Sequence, residues 1–410
     1  MTLDGNRLVF TDQFRASMVD SFLACVAECV TENADALVLD FQLSTVALPD
    51  SMIPVLATVD WLRNSGREVA AILPREPRLH TLFLQSSWAH YLEPTHFEAS
   101  TQGVQQFVAR RFADSQEQQR VVNEFMRLVV GELSPPPDVL AAFEWAINEI
   151  TDNVLTHSDS LRGGFAQILS VPNPPGILFC VADAGRGVLA SMQERYPELQ
   201  SDSEALSNAV IAGVTRNATI GQGNGLAGTL RVASMSGGRF VVGSSRGRYF
   251  VGNEGISSVD GRPSFHGTMV TASMQLINEF SIEDALLFSG RRHSHYGVLD
   301  YHDEEDGVVV LRLARETEGV GSRPAGAFIR RKIIHLLSQE SNEVLVLDWA
   351  GISVVSSSFA DEALGKLFVE LGPLAFGSRV KHRNLSSVNA ALIDNAILQR
   401  VTQHMSALSR

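Results

Sequence analysis

Residues 149–157 read Glu-Ile-Thr-Asp-Asn-Val-Leu-Thr-His, and they close an apolar-periodic run that starts just after Pro135-Pro136-Pro137. The prolines launch a helix, and the periodicity carries it from 138 to 157. Positions 149, 153 and 157 are four apart, so Glu149, Asn153 and His157 project from one face. A carboxyl, an amide and an imidazole in one row can line a pocket. The same row can also be the wet side of an ordinary helix.

Three later segments bear on that choice. Val181-Ala-Asp183-Ala-Gly185-Arg-Gly187 brings a strand, expected at 176–182, to a carboxylate followed by two glycines. By itself it reads as a strand-ending Asp-Gly turn. Gly221-Gln-Gly223-Asn-Gly225-Leu226 leads into a helix expected at 226–236, and such a loop offers backbone N–H groups and a helix dipole to phosphate oxygens. A dinucleotide fold does not fit, because no strand precedes this loop. His266-Gly267-Thr268 opens a strand expected at 267–275. With strands at 164–171, 238–244 and 247–251, the middle of the chain reads as helices packed on an antiparallel sheet rather than as alternating βαβ units.

The two ends have a different rhythm. Residues 36–41 (ALVLDF) and 69–74 (VAAILP) read as buried strands, with helices expected at 50–64 and near 76–91. Residues 97–133 read as polar helix, a connector followed by a lead-in. After 279 come strands at 296–301 and 307–313, a helix at 323–341, the strand VLVLD (344–348), a helix at 359–371 and a weakly patterned tail. LVLDF (37–41) and LVLDW (345–349) look alike, which suggests similar modules at the two ends.

Composition narrows the class. The 410 residues suit three domains, carry 45% hydrophobic and 19% charged residues, and contain no uninterrupted apolar run long enough to span a bilayer. The opening MTLDGNRLVF has neither the basic nor the apolar region of a secretory start, so a soluble, cytoplasmic protein with no membrane association is expected. Three cysteines inside apolar stretches point to buried thiols. A net charge of −13 makes nucleic acid an unlikely partner. The short basic runs Arg110-Arg111 and Arg330-Arg331-Lys332 read as solvated helix faces.

Taken together, the four central segments resemble, in order and spacing, the GHKL (Bergerat-fold) ATPases, over residues 115–278. The resemblance implies a Bergerat α/β sandwich, with helices on one face of a mixed, mostly antiparallel sheet, and ATP with Mg²⁺ as ligands. Asn153 would supply an oxygen to Mg²⁺, and Glu149 would act as the base. Asp183, Gly185, Gly187 and Thr268 would hold the adenine, while Gly221, Gly223, Gly225 and Leu226 would hold the phosphates. Residues 188–220 fall where the family keeps its mobile lid. The segment from Glu149 to His157 looks most like that of the anti-sigma-factor serine kinases.

The flanks fit that branch. Residues 1–96 resemble a STAS domain through Leu37-Val-Leu-Asp40, Asp50-Ser51 and Gly66, although Pro49 and Met52 depart from its usual pattern. Residues 295–410 look STAS-like through Val346-Leu-Asp348-Trp-Ala-Gly-Ile352 and Ser356-Ser357-Ser358-Phe-Ala-Asp361. The implied layout is therefore a STAS-like module (1–96), connector and lead-in helices (97–137), an ATP-binding domain (138–278), a linker (279–294) and a second STAS-like module (295–410). Three functions remain open: phosphorylation of a STAS serine, an ATPase switch that changes protein partners or dimerises, and a nucleotide-binding scaffold with little turnover. By resemblance the acceptor serine is Ser358, then Ser357, then Ser51. Equally, the serines can simply cap the following helix, with Asp361 near the capping-box position.

Overall fold

The structure is a computed structural model that describes residues 1–32, 34–100, 108–133, 135–160, 162–211, 225–252, 255–277, 285, 303–305, 308–316, 323–338 and 344–408. It is a mixed α/β chain with three sheets. Two compact units emerge, Met1–Phe125 with Ala141–Ser294 and Met126–Leu140 with His295–Arg410.

The first unit opens with a hairpin, β1 (Thr2–Asp4) and β2 (Arg7–Phe14). Helix α1 (Val19–Thr31), strand β3 (Ala36–Ala47), helix α2 (Pro49–Asn64) and strand β4 (Glu68–Ile72) follow, and α3 (Pro77–Gln85) and α4 (Trp88–Leu92) close the module. β1 runs antiparallel to β2, whereas β2, β3 and β4 are parallel, in the order β1-β2-β3-β4. Leu37, Leu39 and Phe41 of β3 are all buried, as a parallel strand covered by crossover helices requires.

Helix α2 has no wet face over most of its length. Met52, Ile53, Pro54, Val55, Leu56, Ala57, Thr58, Val59 and Leu62 are all buried, and together they point in every direction around the axis. The reason is that α2 lies between its own sheet and a second one, touching β6, β7 and β11. That second sheet has seven strands in the order β10-β9-β8-β11-β7-β6-β5. They are β5 (Arg110–Phe112), β6 (Gly164–Pro172), β7 (Pro175–Asp183), β8 (Phe240–Ser245), β9 (Gly247–Gly252), β10 (Gly255–Val259) and β11 (Phe265–Gln275). Every pairing is antiparallel, where a mixed sheet was expected.

Strand β7 is buried on both sides, and its alternation assigns the two faces. Leu178, Cys180 and Ala182 belong to the same hydrophobic core as α2. Phe179 points the other way and meets Phe143, edge to face at 5.7 Å, on helix α6 (Pro137–His157). Helices therefore cover both faces, not one. Residues 1–96 share a core with the central sheet rather than standing as a separate domain. Polar bonds cross the same seam. Trp88 Nε1 donates to Gln167 Oε1 at 2.8 Å, Arg248 pairs with Asp20 at 2.9 Å, and Arg162 pairs with Asp60 at 3.0 Å.

Residues 97–133 are not continuous helix. Arg110-Arg111-Phe112 instead pairs with β6 as an edge strand, with Phe112 buried and the arginines half-buried on side partners. Arg110 binds Glu124, and Arg111 lies over the Phe165 ring. Helix α5 then runs over Ser115–Leu133.

The second unit carries a four-stranded sheet ordered β12-β13-β14-β15, namely Asp303–Glu305, Val308–Arg312, Leu345–Asp348 and Val380–Arg383. β12 is antiparallel to β13, and β13, β14 and β15 are parallel. This repeats the plan of the first sheet. The likeness extends to detail, since Asp40 and Asp348 each accept the N–H two residues on and each pair with an arginine.

The expected strand at 296–301 and most of the 279–294 linker lie outside the described residues. The expected helix at 359–371 spans Ser357–Ala360, a π-helical turn at Asp361–Gly365 and Lys366–Leu371. The tail holds Pro373–Arg379, β15 and the long helix Ser387–Leu408. Lys332 is not on a solvated helix face. It is fully buried and bound to Glu316 at 2.7 Å. Arg330 pairs with Glu362 and Glu370.

Candidate functional site

Helix α6 positions the first group. Val139, Leu140, Phe143, Ile147, Ile150 and Val154 are buried at helical spacing, which fixes the rotation of the helix and leaves Glu149 and Asn153 on an adjoining face, with His157 at the end of the helix. Thr151, on the buried side, accepts from Gln118 Nε2 of α5 at 2.9 Å. Burial, with Asp152 adding repulsion, pushes the Glu149 carboxyl up to about 7. Burial lowers the His157 pKa, and its buried Nδ1 has no hydrogen-bond partner among the described residues.

Asp183 lies on the α6 side of β7, in register with Phe179 and Val181. The residue is 3% exposed. Its Oδ1 accepts from Gly185 N at 2.8 Å, and the nearby Thr268 N–H favours the charged carboxylate. Burial outweighs both and raises the carboxyl to about 7.

The glycines are needed by close approach. A Cβ on Gly267, whose φ is +112°, would fall 2.0 Å from the Asp183 carbonyl oxygen and 2.9 Å from its Oδ1. A Cβ on Gly185 would fall 2.1 Å from the Ser158 carbonyl, which accepts from Arg186 N at 2.8 Å. The turn after Asp183 is thus stitched to the end of α6. Gly187 has a φ of +82° and packs against Ser244. The Ser244 hydroxyl accepts from Val188 N and donates to Gly267 O, at 2.8 and 2.9 Å. Ser158, Arg186 and Ser244 carry no motif, and nothing in the sequence singles them out.

Gly225 begins helix α9 (Gly225–Met235). A Cβ there would stand 2.8 Å from Glu149 Oε2 and 3.2 Å from Asn153 Nδ2. Leu226 is half-buried in the first turn. Gly221 and Gly223 lie outside the described residues.

Residues 188–211 are not a loop. Helices α7 (Gly187–Met192) and α8 (Asp202–Ala209) share a small core of Met192, Leu199 and Ala205. Ser201 caps α8, and Asp202 and Ser203 bond to Arg246 N and Asp260. The rest of the expected lid, 212–220, lies outside the described residues.

Two contact clusters lie along α6, with Asp183 and Gly185 beside Ser158 and Gly225 beside Glu149. Nine residues of helix separate Glu149 from Ser158, which at 1.5 Å per residue is about 13 Å. A buried acceptor at one end and a carboxyl poised near neutrality at the other can hold an elongated ligand and remove a proton from it or from water. Among the described residues no group of three or more His, Cys, Asp or Glu side chains is placed to hold a metal. A Mg²⁺ held by Asn153 and by ligand oxygens is compatible with that, since Mg²⁺ uses few protein ligands.

In the second unit, Ser356 caps the helix at Ser357 by accepting from Phe359 N at 3.0 Å. Ser357 is exposed and Ser358 half-buried. Asp361 does not complete a capping box and instead binds Arg400 through both oxygens. Ser51 is fully buried, and its hydroxyl lies against the Phe14 and Leu48 carbonyls.

A family model described as a STAS-like domain of unknown function (DUF4325) matches residues 325–390. The second unit therefore contains a STAS-like domain, a class compatible with protein partners. No curated protein matches the chain. Among the described residues no helix is long and apolar enough to cross a membrane.

Proposed function

We propose that residues 115–278 form a Mg-ATP-binding module of the GHKL (Bergerat) type, in a regulator whose nucleotide state governs which protein partner its STAS-like modules hold. The observation that supports this best is the pair of close approaches along α6, Gly225 to Glu149 and Asn153, and Gly185 and Gly267 to Ser158 and Asp183, which join separate parts of the chain. Asp183 suits an exocyclic adenine amino group, which needs a buried acceptor. Gly225 N–H and the dipole of α9 suit phosphate oxygens. Glu149, raised to about 7, suits a base working near neutral pH. Residues 1–96 are read as a second STAS-like module on their shared sheet plan with the second unit. The cell interior is the expected location, and homodimerisation is compatible with this reading.

Kinase and ATPase readings differ in the acceptor. The accessible Ser357 and Ser358 favour a protein acceptor in the C-terminal module, whereas the buried Ser51 does not serve in this arrangement. The purified chain is incubated with γ-labelled ATP and Mg²⁺. Label on protein indicates a kinase, free phosphate an ATPase, and retained binding without either a scaffold. Absence of ATP binding in calorimetry overturns the reading.

A further inference from the structure

The α2–sheet seam reaches the candidate site at the start of β11. Strand β11 slips register against β8 between Phe265 and Thr268, so His266 and Gly267 stand outside the regular ladder. Such an irregularity re-aims side chains. Phe265 enters the core shared with α2, and the next residue, His266, lies flat on the Trp61 indole of α2, with centroids 3.7 Å apart and planes within 8°. The following two residues belong to the site. Gly267 passes against the Asp183 backbone, and the Thr268 N–H lies beside the Asp183 carboxylate and favours its charged form.

Two contacts hold this short bulge in place of ladder bonds. Inside the sheet, Gly267 O accepts from Ser244. Outside it, only the stacked indole sets the position of His266 among the contacts described. The two rings share a face without an ion pair, so the geometry is fixed by shape and dispersion. A shift of the His266 backbone moves Gly267 and Thr268 with it, because the Gly267 Cα that packs on Asp183 and the Thr268 amide beside its carboxylate are one and two residues away.

We propose that Trp61 and His266 are positioning residues for the nucleotide site. By this account the N-terminal module sets the placement of the Thr268 N–H on Asp183, and loosening its α2 changes nucleotide affinity without touching the ligand. The inference rests on the nucleotide reading of Asp183 for its affinity arm. Its backbone arm does not.

The test uses the full chain with Trp61→Ala, His266→Ala, the double variant, and Trp88→Phe. Trp88 anchors the same seam through Gln167 of β6 and takes no part in the contacts described for residues 266–268. Thermal unfolding gives the folded fraction, amide exchange at Thr268 without nucleotide reads the backbone, and calorimetry with Mg-ATP reads affinity. Expected are several-fold faster exchange at Thr268 and several-fold to tenfold weaker ATP binding in both single variants, with the double variant no worse than either. Trp88→Phe should lower the melting temperature and leave both site readouts unchanged. His266→Phe, which keeps a stacked ring, should restore them. The proposal is overturned if Trp61→Ala leaves Thr268 exchange unchanged, or if Trp88→Phe disturbs the site as much. A wild-type chain that does not bind ATP sinks the nucleotide reading, while the Thr268 exchange still decides the positioning claim.

Discussion

Gly225 stands so close to Glu149 that a single added methyl group would sit 2.8 Å from the Glu149 carboxylate. Helices α6 and α9 meet there, and the contact is with the ends of flexible side chains rather than with backbone. Gly225→Ala should therefore fold but push Glu149 and Asn153 out of place. Overpacking of this kind costs about 1–3 kcal/mol. The expected outcome is a melting temperature within a few degrees of wild type and turnover reduced by an order of magnitude or more. Wild-type turnover in the variant would show that the site does not use this contact.

Asp183→Asn should weaken Mg-ATP binding at least tenfold, in line with about 1.5–3 kcal/mol for a hydrogen bond to a charged buried group. Glu149→Ala should bind normally and lose turnover. Calorimetry and a phosphate-release assay separate the two roles, and undiminished binding by the Asp183 variant would remove Asp183 from the site.

The Glu149 carboxyl sits near 7 in the fold, pushed up by burial and then by Asp152. An unfolded glutamate titrates near about 4.3. The folded value is the higher one, so the group's contribution to stability is fully present below the unfolded value and lost as pH rises through about 7. Glu149→Gln should flatten the fall of the thermal midpoint over that interval. It should also abolish the limb of the turnover profile that rises with pH. A variant whose midpoint tracks wild type throughout would show that another group titrates, and the raised Asp183 is the first alternative.

Ser356→Ala should cost about 0.5–2 kcal/mol through loss of the cap and leave any phosphorylation intact. Ser357→Ala and Ser358→Ala should be nearly neutral in stability. If the C-terminal module is the acceptor, the pair together removes the label. Phosphopeptide mapping distinguishes these outcomes. Free phosphate with no label on residues 356–358 would retire the kinase and leave the ATPase switch.

Lys332 is fully buried against Glu316, and loss of the Glu316 charge takes a compensating anion away from a buried cation. Glu316→Gln should cost about 3–5 kcal/mol in denaturant unfolding, and Lys332→Met with Glu316→Leu should recover most of it. Equal stability of the single and double variants would show that the pair is not the source of the loss.

Much of the candidate site was legible because helical spacing and glycine position are local properties. Glu149 and Asn153 share a face by spacing alone, and Gly225 and Gly267 are where close approach demands them. Ser244 and Ser158 were not legible, since their roles arise from strands and turns that meet only in the fold. Arg110-Arg111-Phe112 was read as helix because a three-residue edge strand has too few positions to show a period. The fully buried circumference of α2 was also unreadable as a two-sided contact. A sequence shows that a helix is apolar all round but not which second surface covers it.

The shared core along α2 bears on how such a chain can be inherited. Phe165, Leu178, Cys180, Ala182 and Phe265 are kept from water by residues of the first hundred. A recombination event that lifted out the central sheet alone would carry an uncovered apolar face into its new host, with the aggregation hazard such a face brings. The central sheet and the module before it are therefore one heritable piece, and homologous genes should retain both or neither.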